Sequence, residues 1–219
     1  MIETHDLTKV YRKGQEEILA LAGIDLTIVQ GEFVSIVGPS GSGKTTLLNL
    51  IGCLDTPTSG SVKIDGKRPA NLTENQLRNI RRNSLGFVFQ HFSLIPSLTV
   101  RENMELPLLF GKKKVDETRV MRVLQSIELA GRENHLPQEL SSGEMQRVAI
   151  GRAIMNRPRI VLADEPTGNL DSITATSIIK LFADLNQEGV TVVVVTHNME
   201  LAENTNRIIH MKDGKIFSP

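Results

Sequence analysis

The sequence predicts an α/β protein: a parallel sheet covered on both faces, with a mostly antiparallel β layer around its first strand and a helical region in mid-chain. Three observations predict it. The stretch Glu32 to Thr46, EFVSIVGPSGSGKTT, joins a short β-branched run, Phe33 to Val37, to a Gly/Ser-rich turn and then to a helical pattern at Leu47, Leu48, Leu50 and Ile51. Two later runs, Ile160 to Ala163 and Val190 to Val195, are continuously apolar and separated by a helical segment, as strands buried on both faces are. Before and after the first strand, Ile2 to Tyr11, Ile18 to Val29 and Ser61 to Ile64 are bounded by turn residues such as Gln30-Gly31 and Asp65-Gly66, which suits antiparallel strands.

The remaining elements follow in order. Thr73 to Arg82 reads as a helix because Thr73 can cap it and Gln76 stands three residues on. Gly86 to Gln90 is a short strand ending in a polar residue. Thr99 to Phe110 starts at a capping residue, and Pro107 should break or kink it. Asp116 to Leu129 carries Val120, Val123, Leu124 and Ile127 at helical spacing. Ser141 to Asn156 is helical with Met145, Val148, Ala149 and Ile150 as apolar positions, and Ile173 to Glu188 forms a further helix. The basic residues Arg119, Arg122, Arg147 and Arg152 read as solvated faces, and Lys112 to Lys114 as a solvated loop. Arg207 to Met211 and Lys215 to Phe217 flank Asp213-Gly214 as a closing hairpin.

The composition bounds the function. The 219 residues suffice for one sizeable core, or one core with a subdomain, and 40% hydrophobic with 23% charged residues is ordinary for a globular protein. Lys+Arg and Asp+Glu both number 25, so the basic excess of a nucleic-acid binder is lacking and no nucleic acid is expected as partner. Cys53, the single cysteine, excludes an intrachain disulfide and reads as a small buried hydrophobe, which suits a reducing compartment. No apolar run approaches the ~20 residues of a membrane helix, and the first residues resemble no signal peptide. The expectation is a cytoplasmic protein; if it serves a membrane, a separate chain supplies the membrane part.

The chemistry concentrates at strand ends, where open α/β sheets collect their ligands. Gly38-Pro39-Ser40-Gly41-Ser42-Gly43-Lys44-Thr45 fits the P-loop pattern of glycine, four residues, then Gly-Lys-Ser/Thr. Glycines let several N–H groups face one anion, and the helix beyond adds its positive end. Lys44 reaches β- and γ-phosphates; the Thr45 hydroxyl can ligate Mg²⁺. Such a cradle serves kinases, ATPases and GTPases alike. Gln90, Asp164-Glu165 and His197 occupy three further strand ends. Adjacent strand residues point to opposite sides, so one acid can hold Mg²⁺ while the other orients an attacking water. A lone histidine at a strand end is usually a hydrogen-bonded one; the joint occurrence carries the weight. Tyr11, the only tyrosine, could stack on adenine, though its spacing suits a half-buried strand aromatic better. The apolar loop with Phe92, Leu94, Ile95 and Leu98 either packs the core or forms a docking surface over Gln90 to Glu105.

One segment separates these possibilities. Leu140-Ser141-Ser142-Gly143-Glu144 resembles the signature of the ATP-binding-cassette ATPases, usually written LSGGQ. With it stand a Walker A, a Q-loop glutamine at Gln90, a Walker B from Ile160 to Glu165, a D-loop at Asn169-Leu170-Asp171 and a switch histidine at His197, in matching order across essentially the whole chain. Ser142 replaces the first signature glycine and Glu144 the glutamine; the N–H at 142 survives, but a Cβ crowds the approach. Ala163 to Asp171, Ile51 to Gly60 and Phe87 to Pro96 are similar to the subgroup of lipoprotein-releasing and macrolide-exporter ATPases, and to its cell-division member.

The resemblance implies one nucleotide-binding domain over 1–219, with a P-loop NTPase, RecA-like core, an antiparallel β subdomain and an inserted helical subdomain at about 88–157. It implies ATP and Mg²⁺ as cofactors and an ATP-dependent homodimer in which each P-loop faces the partner's signature. Tyr11 would stack on adenine; Gly38 to Thr46 would hold phosphates and Mg²⁺, with Thr45, Gln90 and Asp164 as the metal residues; Ser141, Ser142, Gly143 and Glu144 would complete the opposite site. Gln90 would sense Mg²⁺ and a membrane permease, Glu165 would polarise water and His197 would position the γ-phosphate. The implied place is the inner face of the cell membrane. Relatives acting without a transported substrate share these motifs. Those acting on DNA or ribosomes generally carry insertions, metal modules or a second cassette, and this chain has neither heptads nor a second cassette.

Overall fold

The computed structural model describes residues 2–14 and 16–217. Ile2–Lys13 (β1) and Glu16–Ile28 (β2) form an antiparallel ribbon, and Ser59–Ile64 (β4) pairs antiparallel on the other side of β1, giving a three-stranded sheet in the order β2-β1-β4. The antiparallel layer is thus a sheet of its own. The P-loop strand, Phe33–Val37 (β3), belongs to a second sheet of six strands. Its other members are Leu85–Phe89 (β5), Ile160–Asp164 (β6), Thr191–Thr196 (β7), Arg207–Lys212 (β8) and Lys215–Phe217 (β9), in the order β5-β6-β7-β3-β8-β9. All pairings in it are parallel except the closing β8–β9 hairpin. Every residue of β3 and β7 is buried, as continuous apolar runs in a sheet covered on both faces require. Two apolar clusters divide between the faces: Val34, Ile36, Val193 and Val195 point to one, Val192 and Val194 to the other.

The helices are Lys44–Ile51 (α1), Glu74–Asn83 (α2), Val100–Phe110 (α3), Glu117–Ser126 (α4), Ser142–Ile154 (α5), Ser172–Gln187 (α6) and Met199–Glu203 (α7). Helices α3, α4 and α5 all lie between β5 and β6 in the chain. Thr73 caps α2 reciprocally with Gln76, as its spacing predicts, and Thr99–Glu102 and Ser141–Glu144 repeat the device on α3 and α5. Pro107 does not break α3. It lies in the last turn, where one lost bond is tolerable, and its carbonyl accepts from Gly111 N–H and Asn156 Nδ2, both at 3.2 Å.

One surface reading is corrected, and one open alternative is narrowed. Of the four arginines assigned to solvated faces, only Arg122 is exposed. Arg119 donates to the Ile154 carbonyl, Arg147 to that of Ile127, and Arg152 to those of Phe92 and Ser93. The Ile154 carbonyl also accepts from Arg157 N–H, whereas the others lie where the chain turns, and long arginine side chains reach them across packed helices. The loop after Gln90 is also less exposed than its composition suggests: Leu94 packs against the core, and Ile95 is its one exposed large hydrophobe. Buried Asn103 holds the turn, donating to the Ile95 and Leu98 carbonyls and accepting from Ile95 N–H. Cys53 is buried as expected, and burial pushes its thiol up to about 11, so it stays protonated and inert.

Candidate functional site

Two glycines of the loop between β3 and α1, Gly38 and Gly43, have no room for a side chain. A Cβ on Gly38 would lie 2.1 Å from the Met211 carbonyl oxygen, and one on Gly43 would lie 2.4 Å from that of Ala20. The loop is wedged between β2 and the β8–β9 hairpin; Gly214 N–H donates to the Ser42 carbonyl at 3.1 Å, and its own carbonyl accepts from Ala22 N–H. Lys44 is 8% exposed, and its ammonium lies across the loop, donating to the carbonyls of Gly38 at 2.8 Å and Pro39 at 2.9 Å.

Around this loop is a cavity of about 530 Å³, lined by Ser40 to Thr46, by Ile18, Leu19 and Ala20 of β2, and by Gln90, Glu165 and His197. The parallel registry explains the convergence: Val37 pairs with Thr196, and Phe89 with Asp164, so the ends of β3, β5, β6 and β7 emerge together. Thr45 Oγ1 donates to Asp164 Oδ1 at 3.2 Å. Burial pushes the Asp164 carboxyl above its usual range, the Thr45 hydroxyl draws it down and the Glu165 carboxylate pushes it up. Glu165 has φ 46, and its N–H still donates to the Val195 carbonyl. Its Oε2 lies 2.9 Å from His197 Nδ1 and accepts from His197 N–H at 3.2 Å, so the acid and the histidine form a directed pair. Gln90 Nε2 donates to Asn169 Oδ1 at 3.4 Å while Asn169 Nδ2 donates to the Gln90 carbonyl at 3.0 Å. A Cβ on Gly168 would lie 2.9 Å from Gln90 Nε2, so glycine leaves room for the glutamine.

Tyr11 does not itself line the cavity; its cross-strand partner Ile18 does. Its hydroxyl donates to Asp55 Oδ2 at 2.8 Å and the Lys9 ammonium sits 4.8 Å from its ring centre. Ser141, Ser142, Gly143 and Glu144 do not line this cavity. They form the first turn of α5, where the N–H groups of Ser142 and Gly143 have no intrahelical acceptor. The Glu144 carboxylate turns back to accept from Ser141 N–H at 2.8 Å and faces Arg132; the Ser141 N–H above all holds its carboxyl below the usual range. The chain thus carries a phosphate cradle and, elsewhere, a capped helix N-terminus whose Ser142 and Gly143 N–H groups have no intrahelical acceptor.

Sequence reasoning missed the β2 wall and the Asp55 partner of Tyr11, because both depend on register between distant strands. It also missed a groove of about 630 Å³ beside Gln90, lined by Leu54, Phe87, Phe89, Leu106, Pro107 and Phe110. Phe87 and Phe89 stack at 6.0 Å, and Phe110 is 76% exposed. Their spacing in a strand signalled one shared face, but which face stayed uncovered depends on the packing of α2 and α3. Among the described residues, no helix is long and apolar enough to cross a membrane.

Residues 21–168 match the ABC transporter family. An ABC transporter ATP-binding protein of Methanocaldococcus jannaschii, MJ0796, is 52% identical over 99% of this chain and 95% of its own. The macrolide export ATP-binding/permease protein MacB of Mannheimia succiniciproducens is 45% identical over 99% of this chain, which spans only 34% of MacB. The dimeric MJ0796 cassette in a post-hydrolysis state, bound to ADP and phosphate, superposes with TM-score 0.92 at 48% identity, covering 100% of this chain and 97% of that one.

Proposed function

Because the chain belongs to the ABC transporter family and is an ATPase of it, we propose that it is the nucleotide-binding subunit of a transporter, hydrolysing ATP to drive a separate membrane permease. The observation that carries the proposal is the single cavity that gathers Lys44, Gln90, Glu165 and His197 around a glycine-built anion cradle. The loop N–H groups and Lys44 take the β- and γ-phosphates, and Tyr11, held by Asp55, offers its ring to adenine. Glu165 takes the proton of a water whose oxygen attacks the γ-phosphorus; the bond to the β-phosphate bridging oxygen breaks and ADP leaves with that electron pair. His197 meets the γ-phosphate, and drawing its imidazole toward that anion releases Oε2 of Glu165 to the water.

The donor set fits Mg²⁺. Thr45 Oγ1 and Asp164 Oδ1 are hard oxygens 3.2 Å apart, and among the described residues no group of three or more His, Cys, Asp or Glu side chains could hold a metal unaided. A hydroxyl and a carboxylate suffice for Mg²⁺, which keeps water and substrate phosphate as its other ligands, with Gln90 beside them. When bound, the ion would neutralise charge on the transferring phosphoryl group.

The helix N-terminus at Ser142-Gly143 supports a sandwich of two copies, each cradle facing the other's signature, as does the dimeric assembly of the MJ0796 cassette. The stretch 88–157 then acts as the helical subdomain of one cassette over 1–219, peripheral to the inner membrane face. The apolar groove around Phe87, Phe89 and Phe110 takes the permease, next to Gln90 rather than along the whole segment to Glu105. The MacB likeness favours macrolide export as the type of transport, and the motif resemblance adds lipoprotein release. Two measurements test this reading. Lys44→Ala should abolish phosphate release and weaken ATP binding; unchanged turnover removes the cradle from the mechanism. A photocrosslinker at Phe110 in native membranes should capture an integral membrane protein; capture only from sites on the opposite face overturns the docking.

A further inference from the structure

Arg152, in the last turn of α5, is half-buried, and burial pushes its pKa down; among the described residues no carboxylate opposes the shift. A half-buried cation with no counter-ion among the described residues is held where dipoles replace the hydration it has lost. Here the dipoles are two consecutive main-chain carbonyls, those of Phe92, at 2.8 Å, and Ser93. They converge on one guanidinium because Phe92 and Ser93 both adopt left-handed backbone, φ 51 and 52, which side-chain-bearing residues avoid unless something holds them there. This segment begins two residues after Gln90.

The other end of the same helix carries Ser142 and Gly143. Along its length α5 has almost no slack. A Cβ on Gly143 would come within 2.4 Å of Thr174 Cγ2, one on Gly151 within 2.7 Å of Ile127 Cδ1, and one on Gly86 of β5 within 2.6 Å of the Ala153 carbonyl oxygen. Helix α5 is a rigid rod about 20 Å long at ~1.5 Å per residue, touching the signature surface at one end and the chain beyond Gln90 at the other. Arg152 and Ser93 also line the apolar groove.

We propose that Arg152 is a positioning residue that makes the signature helix and the Gln90 loop move as one body, so that engagement of Ser141 to Gly143 is felt at Gln90 and at the groove. The inference rests on the roles given above to Gln90 and the signature turn. It does not place Arg152 against nucleotide.

The test compares wild type, Arg152→Met, Arg152→Lys and Gln90→Ala as purified full chains, by steady-state ATP hydrolysis and by hydrogen exchange at the amides of Phe92, Ser93 and Ile95. Arg152→Met should lower kcat about tenfold, as a catalytic group displaced by a fraction of an ångström does, with KM for ATP within about twofold of wild type and faster exchange at those amides. Arg152→Lys should recover part of both effects, since an ammonium can bond these carbonyls but not as a planar fork. Wild-type exchange and kcat in Arg152→Met overturn the clamp, and so does a loss that lysine does not relieve and that tracks a rise in KM. If Gln90→Ala turns over like wild type, the Gln90 role fails, and exchange alone then decides the clamp. Should the methionine variant not fold, intermediate exchange in the lysine variant supports the clamp and wild-type exchange overturns it.

Discussion

Gly143→Ala measures how tightly the signature turn is seated. The added Cβ would sit 2.4 Å from Thr174 Cγ2, while the next atoms, Thr174 Cβ and Oγ1, lie at 3.6 and 3.7 Å. Carbon atoms rest at about 3.5–4.0 Å, so the new methyl is about 1 Å too close to a single atom. Thr174 cannot turn away cheaply. Its Oγ1 donates to Asp171 Oδ2 at 2.6 Å, and the same aspartate caps α6 through Thr174 N–H. Either that hydrogen bond breaks or α5 moves off α6. Overpacking of this size costs about 1–3 kcal/mol, which in a chain of this length lowers Tm by about 2–12 °C. A displacement near 1 Å at a composite site can reduce kcat by up to about 10²-fold, whereas KM for ATP should hold, because the Lys44 cradle is remote from the clash. Thr174→Ser removes only the offending carbon, so the double variant Gly143→Ala/Thr174→Ser should recover most of both losses. Thermal melts and phosphate-release kinetics on the four members of this cycle give the coupling. Independent, additive effects of the two substitutions would refute the seating of α5 on α6 as the reason glycine stands at 143.

Three further predictions concern the site. Glu165→Gln keeps the shape of the pair with His197 but removes the base, and hydrolysis should fall by about 10²–10⁴-fold; ATP should then hold two chains together in light scattering, and a monomer at saturating ATP with wild-type turnover would sink both the base and the sandwich. Asp164→Asn should raise Tm at neutral pH without nucleotide. A carboxyl raised on folding disfavours its ionised form, so its cost is absent below the unfolded value of 3.8 and present above the raised one; a lower Tm at neutral pH, or the same gain at pH 3, contradicts this, while hydrolysis should be lost in either case. Ser142→Gly should leave hydrolysis unchanged or faster, since the serine is exposed and its Cβ only narrows the approach; a loss beyond about tenfold, ~1.4 kcal/mol of barrier, would assign the hydroxyl a role.

Local chemistry was legible in the sequence wherever one residue's neighbours in the chain decide its conformation. The spacing of Gly38 to Thr45 needs only a strand, a turn and a helix in succession, and Thr73 with Gln76 needs only one helical turn. The continuous apolar runs at 160–163 and 190–195 imply strands buried on both faces whatever their order. The ends of β5, β6 and β7 could therefore be named as site positions from Gln90, Asp164, Glu165 and His197 alone. Tertiary structure decided what crosses long separations. The strand order β5-β6-β7-β3 is what brings those ends to one cavity, and no periodicity specifies it. Arg152 reads as a solvated helical arginine because its acceptors lie about sixty residues away, on carbonyls freed by a left-handed turn. The groove at Phe87 and Phe89 exists because α2 and α3 leave that face of the sheet edge open, and burial is set by what packs where, not by which residues alternate. The helix N-terminus at Ser142 lies outside the chain's own cradle for the same reason: side chains and caps are chosen locally, but which surfaces face each other is settled by packing of the whole chain.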